Sequence, residues 1–257
     1  MTELVLYEIS GAVGMITMNR PEARNALTFE MYDRIAEICA APSPDGGVKA
    51  LIITGAGERA FAAGTDISLF RGFQRAEDAL AYEDRIEKAL TAIETSPVPT
   101  IAAISGACTG GGATIAVACD LRIATENSVF GFPVARTLGN CLSIANYARL
   151  VAMVGAGRVM EMVVTAKLLD AATAKAVGLV GELVPDHPAL MARAREVAAM
   201  VAEHAPLTMR ATKEALRRLR EGRRDDEDLI TECYMSEDFR EGLEAFLAKR
   251  KPNWQGR

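Results

Sequence analysis

Short apolar runs separated by turn residues dominate the first sixty positions. "LVLYEI" (4–9) and "AVGMITMN" (12–19) are rich in β-formers and meet at Ser10-Gly11, the pattern of a hairpin. The polar stretch 20–28 reads as a loop, with Thr28 suited to cap a helix from Phe29 to about Ala40. "APSPDGG" (41–47) breaks the chain, and "VKALIIT" (48–54) follows as an apolar strand buried on both faces. A helix over 77–94 leads to the strand "PTIAAIS" (99–105), a glycine-rich turn, a helix over 111–118 and the strand "LRIAT" (121–125). Strands alternating with helices point to an α/β fold with a largely parallel sheet. From about Ser143 the pattern becomes mainly helical, with long stretches at 188–204 and 206–222, each with proline near its start. The charge run from Arg217 to Asp228 reads as a solvated helix end and loop.

The segment from Thr95 to Cys119 carries no charge and is long enough to raise a membrane span. Pro97, Pro99, Gly106 and the triplet Gly110-Gly111-Gly112 interrupt it, so it reads as a buried strand, a turn and a buried helix. Over 257 residues the formal net charge is −5, which argues against a nucleic-acid or anionic-membrane binder but leaves room for a small anionic ligand. Five scattered cysteines without a C-x-x-C pair, and two separated histidines, His187 and His204, draw no zinc-type cluster. Reduced thiols in a cytoplasmic protein are expected. No basic-then-apolar targeting pattern opens the chain.

Three nucleotide and hydrolase patterns fail on context. "GAGERA" (55–60) has the form of a dinucleotide turn but leads into "FAAGTD" rather than a helix. The glycine triplet lacks the Lys-Ser or Lys-Thr of a phosphate loop. Neither histidine is placed to serve a serine nucleophile, which also counts against a protease of a related fold.

"MNRPEARNALT" (18–28), "ITGAGERAFAAGTDI" (53–67) and "AAISGACTGGGATIAVACDLRIAT" (102–125), in that order, resemble the enoyl-CoA hydratase/isomerase, or crotonase, superfamily. The resemblance continues through "FGFP" (130–133), residues 162–185 and the tail 236–254. It implies a spiral of ββα units with a helical C-terminal region used in trimers or dimers of trimers. An acyl-CoA-binding core over 1–195 and a helical region over 196–257 are expected. Coenzyme A enters as part of an acyl-CoA thioester substrate, with no separate cofactor or metal, no nucleic acid and no membrane.

By the same resemblance, the backbone N–H groups of Thr65 and Gly111 hold the thioester oxygen as it gains negative charge, and the glycines let backbone approach the substrate without a Cβ. Ala23, Arg24 and Ala26 would line the coenzyme path, with Ala63, Gly64, Asp66 and Ile67 on the opposite wall. Phe246 and Lys249 would touch the nucleotide end, often from a neighbouring subunit. The two glutamates that move protons in hydratases of the family correspond to Thr114 and Val134 here, or to Ala135 with a one-residue gap; none is an acid. Thr114 fits a hydroxyl facing substrate or one bonded back to its own helix. Arg136, Asn140, Cys141 and Ser143 are the other polar groups near the site, Ser143 suiting a helix N-cap and Cys141 a buried thiol. Isomerisation, decarboxylation, hydrolysis, slow hydration and acyl-CoA binding without turnover remain open at this point.

Overall fold

The structure is a computed structural model and describes residues 3–43 and 45–257. The chain opens with β1 (Val5–Ser10), β2 (Val13–Met18) and α1 (Phe29–Ala40). There follow β3 (Ala50–Gly55), β4 (Ala60–Ala62), α2 (Ala76–Glu94), β5 (Thr100–Ile104), β6 (Ala107–Thr109) and α3 (Gly111–Ala118). Next come β7 (Leu121–Thr125), β8 (Val129–Gly131), α4 (Val134–Thr137), α5 (Ile144–Val164), β9 (Leu169–Asp170), α6 (Ala171–Ala176) and β10 (Glu182–Val184). The chain closes with α7 (His187–Ala202), α8 (Pro206–Arg220), α9 (Glu227–Tyr234) and α10 (Glu237–Leu247).

The repeat is visible in the pairing. β3, β5 and β7 lie parallel in a six-stranded sheet of order β1-β2-β3-β5-β7-β10, in which β1 and β2 form the expected antiparallel hairpin. Their successors β4, β6 and β8 lie parallel in a second sheet of order β4-β6-β8-β9. Each long strand is thus followed by a short one in the other sheet and then by a helix, which is the crotonase-like ββα spiral. The hydrophobic alternation explains why the large sheet is covered on both faces. Leu51 and Ile53 of β3, with Ala102 and Ile104 of β5, face the inner core. Ala50 and Ile52, with Ile101 and Ala103, face an outer core closed by Leu190, Ala194, Val197 and Ala198 of α7. α7 therefore runs across the expected boundary between residues 195 and 196, packing on the sheet from both sides of it.

α3 is apolar all round, and every residue from Gly112 to Ala118 is buried, as such a helix must be. It is the inner helix of the spiral, wedged between α2 and strands β4 and β6. Gly110 takes φ 51°, ψ −123° at the turn into it, a backbone conformation that a side chain would strain. A Cβ on Gly112 would collide with the carbonyl oxygen of Ala62. The triplet can lie this close to β4 because Gly112 is bare. The C-terminal region is helical as expected; β9 and β10, two and three residues long, are the strands its pattern does not announce.

Candidate functional site

The loop 20–27 and the segment 60–66 are held together by a buried amide. Asn25, fully buried, accepts from the Arg20 backbone N–H (3.0 Å) and donates to the carbonyls of Ala56 (3.1 Å) and Ala60 (2.8 Å). Arg20 reaches across to the Ala26 carbonyl (2.7 Å) and to Asp66 (3.0 Å). Backbone bonds continue the seam: Ala63 N–H donates to Arg24 O, Leu27 N–H to Gly64 O and Asp66 N–H to Leu27 O. The seam thus sets Arg24 against Ala63, and Leu27 between Gly64 and Asp66. Asp66 is occupied within this framework, accepting from Ser68 and Arg20, and its carboxyl is held below the usual range by Ser68 first and then Arg20. Arg24 is exposed and makes no ion pair among the described residues.

This seam fixes the direction of one amide. N–H groups alternate sides along an extended stretch. With Gly64 O and Asp66 N–H both turned toward Leu27, the Thr65 N–H points the other way, and it has no backbone acceptor among the described residues. Gly111 is the first residue of α3, whose N–H has no partner inside its helix. The two meet: an ideal Cβ on Gly111 would stand 3.3 Å from the Thr65 nitrogen. The Thr109 hydroxyl, donating to Ala63 O at 3.0 Å, ties the two turns together. The positive end of α3 faces the same point.

Thr65 and Gly111 both line a cavity of about 460 Å³. Ala63, Gly64, Thr65, Ile67, Gly111, Thr114 and Val134 all line it. Thr114 is buried, and its hydroxyl donates to the Gly111 carbonyl at 2.8 Å, so it is engaged by its own helix. Val134 is buried at the start of α4, whereas Ala135 and Arg136 are exposed and outside the lining. Ser143 caps α5 by accepting from Asn146 N–H. Cys141 is exposed rather than buried, on the cavity wall beside Asn140. Phe246 and Lys249 lie elsewhere: Phe246 lines a separate groove with Trp254, and Lys249 follows α10 with φ 52°.

The far wall carries groups that the motif reading did not single out. Tyr32 of α1 and Tyr82 of α2 both hydrogen-bond the Thr65 hydroxyl, at 3.0 and 2.9 Å. Burial pushes both phenols above their ordinary range. Glu83 of α2 also faces the cavity. It is half-buried, and its carboxylate takes no hydrogen bond or ion pair among the described residues. Burial, and then repulsion from Glu87, raise its pKa above the ordinary glutamate value. A helical stripe could have found it, since Tyr82 and Glu83 stand one turn before Ile86 on the face that continues through Leu90 and Ile93.

Residues 8–257 match the family described as enoyl-CoA hydratase/isomerase. The chain belongs to the enoyl-CoA hydratase/isomerase family. It is 33% identical over 252 residues to a short-chain-enoyl-CoA hydratase of Clostridium acetobutylicum, covering 96% of this chain and 95% of that protein. It is 32% identical over 260 residues to a crotonyl-CoA hydratase of Syntrophomonas wolfei, covering 98% of each. Among solved structures, an enoyl-CoA hydratase/carnithine racemase from Magnetospirillum magneticum superposes with a TM-score of 0.91 at 34% identity, covering 100% of this chain and 97% of that one. Members of this family act on acyl-CoA thioesters. No helix among the described residues is long and apolar enough to cross a membrane.

Proposed function

We propose that this enoyl-CoA hydratase/isomerase homologue binds an acyl-CoA thioester with its carbonyl oxygen between the N–H groups of Thr65 and Gly111. One observation carries this reading: two backbone amides without backbone acceptors among the described residues belong to adjacent residues of separate turns that line one cavity. Preorganised N–H donors of this kind stabilise the enolate that forms when a proton leaves the α-carbon. The coenzyme would run along Ala23, Arg24 and Ala26 on one side and Ala63 to Ile67 on the other, with the Arg24 guanidinium available to a phosphate. Phe246 and Lys249 would contribute from another copy of the chain in a trimer or dimer of trimers. The exposed apolar residues Ile230, Tyr234, Phe239, Leu243 and Phe246 support such an assembly. A cytoplasmic setting fits the free cysteines.

Efficient hydration of the family type does not fit the site. Thr114 and Val134 stand where the two proton-moving glutamates would be, and one well-placed acid or base is worth roughly 10²–10⁴ in rate. The thioester reading is tested with crotonyl-CoA, by calorimetric binding and by the loss of its conjugated absorbance. Binding is expected, with hydration slower than in a glutamate-bearing relative by at least about 10² and unaffected by Thr114→Ala. Rapid hydration abolished by Thr114→Ala would overturn this assignment. The loss of both glutamates equally supports a second reading, an acyl-CoA-binding homologue without turnover. Binding across an acyl-CoA panel with no product from any member identifies it.

A further inference from the structure

A second cavity, of about 550 Å³, adjoins the first. Phe70, Tyr82, Glu83, Leu138, Asn140 and Cys141 line both, so the two chambers share one wall. The outer chamber adds Phe73, Ala79, Leu80 and Gly139, which carry no polar side chain. Phe70 packs edge-on against Tyr82 at 5.0 Å and against Phe73 at 5.4 Å, forming the aromatic part of that wall. An acyl chain that leaves the two amides for the outer chamber passes Glu83. Among the described residues lining either cavity, Glu83 is the sole carboxylate, and no Lys, Arg or His joins it.

Resting on the thioester reading above, we propose that the Glu83 carboxylate moves a proton to and from the acyl chain, and that the substrates are unsaturated acyl-CoAs whose double bond it shifts by one position. Hydration needs one group to activate water and another to serve carbon, whereas a single carboxylate suffices for a 1,3-proton shift. With a β,γ-unsaturated thioester, Glu83 takes the α-proton. The C–H electron pair becomes a carbon–carbon double bond while the carbonyl pair moves onto the oxygen held by Thr65 and Gly111. The resulting carboxylic acid returns the proton to the γ-carbon. The carbonyl then re-forms, leaving the α,β-unsaturated thioester with no water consumed and no electrons gained or lost.

The surroundings suit both halves of that cycle. Tyr32 of α1 and Tyr82 of α2 add no charge, since burial keeps both phenols protonated. Glu87, one turn along α2, repels the Glu83 anion and is itself held by Arg149 of α5 at 2.7 Å. Burial and that repulsion move Glu83 toward the working pH, where a carboxyl group both takes up and releases a proton readily.

The test uses the full-length protein, hexanoyl-CoA as a binding probe and 3-hexenoyl-CoA as substrate, following growth of the conjugated thioester absorbance. Glu83→Gln keeps the shape and is expected to bind hexanoyl-CoA as the native chain does while losing about 10²–10⁴ in kcat. Glu83→Asp should recover part of the rate. The native profile of kcat/KM should rise with a single ionisation above the usual glutamate range, and Glu83→Gln should lack that limb. Binding without isomerisation by the native protein, or native turnover in Glu83→Gln, overturns this proposal and leaves the thioester site standing. Failure of hexanoyl-CoA to bind the native protein overturns both.

Discussion

At the scale of single residues, bareness and orientation matter more than charge. In the proposed role Gly111 offers its N–H to the thioester from a bare α-carbon; a methyl there would run into the Tyr32 hydroxyl and crowd both the hydroxyl and the nitrogen of Thr65. Gly111→Ala should therefore displace one amide and lower kcat by about 10²–10³, the usual effect of losing one such donor. Steady-state turnover of any acyl-CoA the native protein converts checks this; an unchanged kcat would mean that the amide is not used. The importance of the triplet is legible in the sequence, because three adjacent glycines at the mouth of an apolar helix have no good local use. The bond from Thr114 to Gly111 O is only half legible, since a threonine near a helix start suits both a substrate contact and a bond to its own turn. Glu83 is illegible by motif. α2 carries acids at Glu77, Asp78, Glu83, Asp84, Glu87 and Glu94, and composition does not say which of them turns inward.

At the scale of elements, the amides are placed by a seam and not by a single turn. Asn25 stitches loop 20–27 to the β3–β4 connection, and the same seam turns the Thr65 N–H outward. Removing its side chain leaves a buried N–H and two carbonyls without their partner. Asn25→Ala is expected to cost roughly 3 kcal/mol. That corresponds to a fall in melting temperature of about 6–12 °C for a chain of this size. KM for the acyl-CoA should rise as the wall loosens. Calorimetric melting with and without ligand measures both effects, and a variant as stable as the native protein would show that the seam is held elsewhere. Strands β3 and β5 are legible because continuous apolar runs fit strands covered on both faces. β9 and β10 are not, because two or three residues carry no period and pair only once the rest of the sheet is present.

At the scale of the whole molecule, acid should loosen the C-terminal helices. Glu214 of α8 is held at about 2 by hydrogen bonds from Arg217 and then Arg218, and Glu241 of α10 at about 2 by Arg250. Their folded pKa values lie below the ordinary 4.5, so the stabilisation is complete above that pH and is lost as pH falls toward 2. Arg250 anchors the tail that lays Trp254, the single tryptophan, against Gly242. Trp254 fluorescence should therefore report release of the tail between about pH 4.5 and 2. A signal unchanged to pH 2 would contradict this. The i,i+3 and i,i+4 pairs of Glu214 with Arg217 and Arg218 are legible in the helical sequence, whereas the pair of Glu241 with Arg250 appears only once the tail folds back on α10.

The claim beneath the rest is that two main-chain amides polarise one thioester carbonyl. Crotonyl-CoA labelled with ¹³C at that carbonyl and bound to the native protein tests it directly by NMR. Two donated hydrogen bonds withdraw electrons from the carbonyl carbon, so its resonance should move downfield on binding. A labelled ligand that binds with its carbonyl resonance unmoved would contradict the account.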